Sequence, residues 1–305
     1  MPLPPLTTPQ EREWFIRYTR INHWPILERF PLPDDLQTEV LASMAGTTQD
    51  VVRATVASMS AAVRRDSSQL MTGAAFREAI GSLPLTAGDR VVAIGDSVTA
   101  DRRGWFELLK ASIELAALPD VDMVNLGLSG NTTADALERL DVVASARPTW
   151  VLVMLGTNDA RYHGPKHTYR MVAPAETERN IRALIDCVTG DLAADITLIT
   201  PPSGDQQRMD SFFRDAPVGW RAAELDGVAT LIRGLDPTCV DVNRSVGGTA
   251  STGLLEADGV HPSVEGQRLI ARLVASRLSQ VRRPGSERLS TEAPHLRRVR
   301  TESEI

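Results

Sequence analysis

The side chains able to do chemistry in this 305-residue chain lie in short, separated stretches. The first is Gly95-Asp96-Ser97, which closes the apolar run 91–94. That run is rich in β-branched residues and bounded by glycine, so it reads as a buried strand. From about residue 104 to 118 apolar side chains recur at helical spacing, which puts Ser97 in a strand-to-helix turn. In an open parallel sheet such a turn lies at the carboxyl end of the strand, where ligands bind. Ser97 is then either an N-cap or a hydroxyl aimed into a cleft beside a helix N-terminus. Three later stretches bear on this choice: 125–132 with Gly130, Gly156-Thr157-Asn158-Asp159, and Asp258-Gly259-Val260-His261-Pro262. Each follows an apolar run or opens a helix, so each can share a sheet edge with Ser97.

Together they offer a nucleophile, a glycine N–H, a side-chain amide and an Asp/His pair. A serine hydroxyl is a poor nucleophile without a base. His261 titrates near neutrality and can take that proton and return it to a leaving group. Asp258, three residues earlier, can bond the imidazole Nδ1–H and fix its tautomer. Asp-x-x-His also suits a surface pair or half a metal site. The other four of the five histidines are distant and no Cys or Glu cluster accompanies them, so no metal is expected. Attack on an ester develops negative charge on oxygen, where each preorganised donor is worth about 3–4 kcal/mol. The candidate donors are the Ser97 and Gly130 N–H groups and the Asn158 amide. Gly130 lets a substrate approach the backbone. Asn158 is a residue type common in turns, here placed after the strand 150–155. Asp96 is expected to bond backbone or a neighbouring loop, and Asp159 to support the Asn158 turn.

In order and spacing these four blocks resemble the SGNH hydrolase superfamily, the GDSL-type esterases and lipases. The resemblance covers about residues 88–280, with Val98 where the family name has Leu. It implies Ser97, Asp258 and His261 as catalytic residues, with Ser97, Gly130 and Asn158 forming the oxyanion hole. It also implies a flavodoxin-like strand order, no cofactor, and a metal-independent serine esterase. That enzyme would form an acyl-enzyme on a small, water-soluble ester. The two long basic loops over 160–174 and 201–217, with few aliphatic side chains, point to a short acyl group and a polar or anionic partner, or else are solvated surface. A thioesterase or acyltransferase would use the same site. A binding module that keeps the fold without catalysis fits an intact Ser97, Asp258 and His261 less well.

The elements that must position these residues alternate from residue 89 onward. Strand candidates are 90–94, 123–126, 150–155, 196–200 and 240–242; helix candidates are about 104–118, 133–146, 175–189, 218–234 and 263–280. This is the pattern of an α/β fold: a three-layer α/β/α arrangement with a parallel five-stranded sheet. Two connections, 160–174 and 201–217, exceed the usual length of about 2–6 residues. Both leave strands at the carboxyl end and should border the cleft. They carry Arg161, Lys166, Arg170, Arg208 and Arg214. Arg161 and Arg208 are candidate substrate-binding residues, since a guanidinium pairs well with carboxylate, phosphate or hydroxyl groups.

Three segments are expected: a helical N-terminal segment or cap over 1–85, the hydrolase domain over 86–281, and a disordered polar tail over 282–305. Thr8-Pro9-Gln10-Glu11 reads as a capping box ahead of a helix bearing Trp14, Phe15 and Tyr18. Asp34 or Asp35 should cap a helix ending at Gly46, and Thr47 or Thr48 the next. Trp14, Phe15, Trp24 and Phe30 are expected in a core or an interface, which includes a homo-oligomer formed through these helices. Ala42, Gly46 and Val52 have helix-turn-helix spacing, but residues 1–85 hold eight Arg, no Lys and nine Asp plus Glu. A DNA reader needs a basic face, and the whole chain carries a net charge of −6, so nucleic acid is not an expected partner. No apolar run approaches the roughly 20 residues that span a bilayer, so no membrane partner is expected. The first residues lack a basic, apolar leader, and Cys187 and Cys239 read as reduced core residues. Both features point to the cytoplasm.

Overall fold

The computed structural model describes residues 6–118, 120–246 and 253–281; the expected tail over 282–305 lies outside them. The chain opens with helix α1 (Pro9–Tyr18). The Thr8 hydroxyl accepts from the Glu11 N–H at 3.1 Å and the Glu11 carboxylate accepts from the Thr8 N–H at 2.8 Å, the reciprocal capping that the sequence predicts. A 3₁₀ turn (Ile21–His23) and α2 (Pro25–Arg29) lead to α3 (Asp34–Ala45). Pro33, rather than Asp34 or Asp35, stands at the α3 N-cap, without a side-chain bond, and Gly46 ends the helix in the left-handed region at φ 61°. Thr48 caps α4 (Gln49–Thr72), and α5 (Ala74–Gly81) follows.

The α/β part runs β1 (Arg90–Gly95), α6 (Ser97–Ala100), α7 (Trp105–Leu115), β2 (Asp122–Asn125), α8 (Thr133–Glu138), α9 (Leu140–Ser145) and β3 (Trp150–Met154). It continues with β4 (Tyr162–His163), β5 (Tyr169–Arg170), α10 (Pro174–Asp186), β6 (Asp195–Ile199), α11 (Gln206–Phe212), β7 (Val218–Gly219), α12 (Ala222–Leu235) and α13 (Val264–Leu278). The main sheet has the order β2-β1-β3-β6, all parallel. These are the first four positions of a flavodoxin-like order. The sheet has four strands, not the expected five. Val240 pairs with Ile199 as a single bridge, because the chain then turns at once: the Val242 N–H bonds the Val240 carbonyl and the Asn243 N–H bonds Thr200 Oγ1.

Alternate strand residues feed two cores, as a sheet covered on both faces requires. Val91, Ala93, Trp150 and Leu152 pack with Leu109, Ile113, Ile270 and Val274 of α7 and α13. Val92, Ile94, Val151 and Val153 pack with Ile181, Leu184, Leu225 and Val228 of α10 and α12. Val63, Leu70, Phe76, Ile80 and Leu83 join the first core, so the helices before β1 share it. The segment expected as one helix over 133–146 breaks at Arg139. That side chain turns inward to the Glu28 carboxylate and the Leu126 carbonyl. The two long connections are structured: the first holds β4 and β5, which with β7 form a small antiparallel sheet, and the second holds α11.

Arg17 fastens α1 to the rest. Its Nε and Nη2 bond both oxygens of Asp101 at 2.8 and 2.7 Å, and its Nη1 bonds Glu256 at 2.8 Å. Asp101 is fully buried. Removing one partner of such a pair strands the other charge away from water, at about 3–5 kcal/mol. Arg17→Ala should lower the stability by that amount in a denaturant titration. Arg179→Ala, which breaks an exposed pair with Glu176, should leave the midpoint where it is.

Candidate active site

Ser97 is the first residue of α6, directly after β1, with Asp96 as the N-cap. Gly95 permits the turn: a Cβ there would meet Thr99 Oγ1 at 2.1 Å and the Met154 carbonyl at 2.9 Å. The Asp96 carboxylate accepts from the Val98 N–H at 3.0 Å, so the cap is Asp96 and the Ser97 hydroxyl is left for other work. Ser97 Oγ lies 2.8 Å from His261 Nε2. His261 Nδ1 lies 2.5 Å from Asp258 Oδ2. The other Asp258 oxygen accepts from the Val260 and His261 N–H groups at 2.9 and 3.0 Å. The loop is pinned at its base, where Leu255 pairs with Pro262 and the Glu256 N–H bonds the His261 carbonyl.

Gly130 follows β2 with φ +90°, a conformation that L side chains rarely adopt, and a Cβ there would meet nothing within 4 Å. Among the described residues neither the Ser97 nor the Gly130 N–H donates a hydrogen bond. Asn158, buried after β3, gives one Nδ2 hydrogen to the Asn131 carbonyl at 3.0 Å, which leaves its second hydrogen available. Asp159 anchors this turn through the Thr133 N–H at 3.0 Å and the Thr133 and Thr177 hydroxyls.

Ser97, Gly130, Asn158 and His261 line a cavity of about 230 Å³ with Trp14, Tyr18, Ser129, Thr157, Arg161 and Trp220. Arg161 thus sits in the cavity wall, with its guanidinium carbon 6.0 Å from the Trp220 ring centroid. Arg208 is not among the lining residues; its Nη1 donates to the carbonyl of Leu255 at 3.0 Å. Arg170 is paired with Glu224, and Lys166 lines a neighbouring cleft. Among the described residues no group of three or more His, Cys, Asp or Glu side chains is arranged to hold a metal ion.

Sequence reasoning left three lining aromatics out of the site. Trp14 and Tyr18 come from α1: their ring centroids lie 5.5 and 4.8 Å from that of His261. Their i, i+4 spacing puts them on one helix face, which is the only hint the sequence holds. Trp220, between β7 and α12, donates its indole N–H to the Thr157 carbonyl at 2.8 Å. Of the other N-terminal aromatics, Phe15 and Trp24 pack on the core of α1, α3 and α4, whereas Phe30 is 73% exposed.

The titrating groups differ by environment. Burial disfavours the His261 imidazolium, but Asp258, with Asp96 and Asp101 behind it, outweighs that and holds the ring above its ordinary value. Burial likewise pushes the Asp258 carboxyl up, but His261 and two backbone N–H groups hold it below the usual range. Asp96 has no such set of partners. Burial pushes its carboxyl up to about 6 against the Val98 N–H and the nearby Thr157 hydroxyl. The array can therefore hold a proton on His261 beside an ionised Asp258.

A hydroxyl, an imidazole and a carboxylate thus stand in one hydrogen-bonded chain at the carboxyl edge of a parallel sheet. Residues 93–269 match the GDSL-like lipase/acylhydrolase family, and the chain belongs to it. It is 27% identical over 190 residues to an esterase, TesA, of Pseudomonas aeruginosa, covering 59% of this chain and 83% of that protein. It is 28% identical over 212 residues to an acetylxylan esterase of Geobacillus stearothermophilus, covering 62% and 94%. A solved lipase/acylhydrolase from Enterococcus faecalis shares the fold, with a TM-score of 0.51, 24% identity, and 63% of this chain and 95% of that one covered.

The raised carboxyl of Asp96 has a consequence for stability. Between pH about 4 and 6 the unfolded chain releases this proton while the folded chain retains it, so folding loses stability as the pH rises through that window. A shift of about two units is worth about 3 kcal/mol. Asp96→Asn, which keeps an N-cap acceptor, should gain on the wild type by up to that amount between pH 4 and 7. Melting curves of both proteins across this range check it, and a constant difference between them would contradict it.

Proposed function

We propose that the protein is a serine-dependent ester hydrolase that works through an acyl-enzyme on a short-acyl ester with a polar or anionic partner. The observation that carries this is the unbroken chain from Ser97 Oγ through His261 to Asp258, at 2.8 and 2.5 Å. In the first half-reaction Ser97 Oγ attacks the ester carbonyl and its proton passes to His261 Nε2. Asp258 holds the Nδ1–H and stabilises the imidazolium that forms. The oxyanion is met by the Ser97 and Gly130 N–H groups and by Asn158 Nδ2. Collapse expels the alcohol, which takes the proton from His261. In the second half-reaction water attacks the acyl-enzyme, His261 again takes the proton, and Ser97 leaves with it.

The substrate class follows from the walls. The cavity at Ser97, about 230 Å³, is below the roughly 300–1,000 Å³ of common ligand pockets, which favours a short acyl group. Trp220 is also a wall of the adjoining cleft, about 510 Å³ and lined by Tyr162, Lys166, His167, Asp210 and Arg221. That cleft suits a hydroxylated or anionic alcohol portion, with Arg161 at the junction. On this reading residues 1–85 form the cap and 86–281 the hydrolase unit.

Ser97→Ala should abolish turnover and labelling by a fluorophosphonate while the protein stays folded; hydrolysis at the wild-type rate would overturn the proposal. Asn158→Ala should lower kcat by about two to three orders of magnitude, with KM nearly unchanged, because the donor bonds the transition state more strongly than the substrate. Across acetyl, butyryl, octanoyl and palmitoyl esters kcat/KM should fall with length, and Arg161→Ala should lose the advantage of anionic esters. Release of thiol from acyl-CoA, or product formed with an added alcohol or amine, would redirect the reading to a thioesterase or an acyltransferase.

A further inference from the structure

Ser97, Gly130 and the Asp258–His261 pair meet at one sheet edge, but each sits on a different loop. The segment α1 and the 3₁₀ turn after it touch all of these loops. Arg17 joins Asp101, four residues past Ser97, to Glu256, two residues before Asp258. Ser129, beside Gly130, donates its hydroxyl to the Tyr18 carbonyl at 2.5 Å, and His23 Nδ1 meets the Gly127 carbonyl at 2.7 Å. Arg102 closes the arrangement from the other side. Its backbone N–H bonds the Arg17 carbonyl at 3.1 Å, and its guanidinium bonds the carbonyls of Ile16 and Thr19 at 3.0 and 3.1 Å. These are carbonyls at the end of a helix, which need donors from outside it.

Seated this way, α1 presents Tyr18 and Trp14 to the His261 ring at 4.8 and 5.5 Å. The guanidinium of Arg17 lies 5.0 Å from the Tyr18 ring centroid and 5.9 Å from that of Trp14, bracing both. An imidazole that must face Ser97 and Asp258 at once has one useful ring orientation, and Trp14 and Tyr18 pack on that ring from outside its own loop. We propose that Tyr18 and Trp14, residues ahead of the stretch that matches the family, are positioning residues that hold the His261 ring between Ser97 and Asp258 and keep water off it. The proposal rests on the ester-hydrolase reading of this site.

The carboxylates that act on His261 are Asp258 from its own loop and Asp96 and Asp101 from either end of α6. Tyr18 and Trp14 face its ring from α1 with Arg17 against both, and Arg161 shares the cavity wall. Burial is what works most strongly against the imidazolium, so stripping the aromatic cover lets the ring protonate at higher pH. Tyr18 Oη is buried and has no hydrogen-bond partner among the described residues, so the ring and not the hydroxyl is the working part.

The test uses the full chain with Tyr18→Phe, Tyr18→Ala and Trp14→Ala. The His261 titration is read by imidazole NMR, assigned with His261→Gln, beside kcat and KM across pH. Tyr18→Phe keeps the ring against His261 and should leave the His261 titration where the wild type has it. Tyr18→Ala and Trp14→Ala should titrate His261 at higher pH, shift the acidic limb of kcat/KM the same way, and lower kcat by about tenfold to a hundredfold with little change in KM. An unmoved His261 titration in a folded variant, or a loss confined to KM, would overturn the proposal. Should Tyr18→Ala fail to fold, Trp14→Ala decides alone, since Trp14 is 37% exposed. The NMR readout needs no turnover. A shifted His261 in a protein that hydrolyses no ester would therefore support the positioning role and count against the ester-hydrolase reading alone.

Discussion

Asp101 is a charged side chain with no exposure to water, and its neighbours are arranged to satisfy it. Oδ1 accepts from Arg17 Nε and the Arg103 N–H, both at 2.8 Å; Oδ2 accepts from Arg17 Nη2 at 2.7 Å and Gln267 Nε2 at 3.0 Å. A buried ion pair is tolerable only when its remaining lone pairs are met in this way. The donors come from α1, from the loop after α6 and from α13. Gln267 in turn accepts from the Trp105 N–H at 2.9 Å and so ties in α7. One carboxylate therefore sets the separation of the helix that starts at Ser97, the helix that follows His261, and the N-terminal helix that covers both.

The electrostatics of the site build on that frame. Two carboxylates flank the Ser97–His261 contact, and their surroundings push them in opposite directions, a pattern that separates roles within one site. Asp258 accepts from two backbone N–H groups and the imidazole, so it serves as the charged partner. Asp96 has one backbone donor and lies in full burial, so its work is to hold the turn that presents Ser97.

The grouping of Ser97, His261 and Asp258 was legible in the sequence because each block is local. Asp258 and His261 are three residues apart, and Ser97 follows a strand that announces itself by β-branching. The four paired strands were legible for the same reason. What was not legible depends on contacts distant in sequence. Residues 240–242 look like a fifth strand, but Thr200 Oγ1 and Asp226 draw Asn243 away after a single bridge. Residues 133–146 look like one helix, but Glu28, more than a hundred residues earlier, claims Arg139. Arg208 looks like a ligand group on a long loop, but its guanidinium holds the Leu255 carbonyl. Trp14 and Tyr18 belong to a face whose partner no local pattern names.

The helices ahead of β1 are therefore more than an appendage. A carboxyl-edge site is assembled from loops, and loops are the least stable parts of an α/β fold. The family match begins at residue 93, after these helices. The additional helices bury Ile16, Leu41, Ala45 and Val52 among themselves and send Val63, Leu70 and Phe76 into the core beneath β1. Such burial is favourable by about 25 cal/mol per Å² of apolar surface. The apolar contacts hold the segment in place, and the polar links transmit that placement to Ser97, Gly130 and His261.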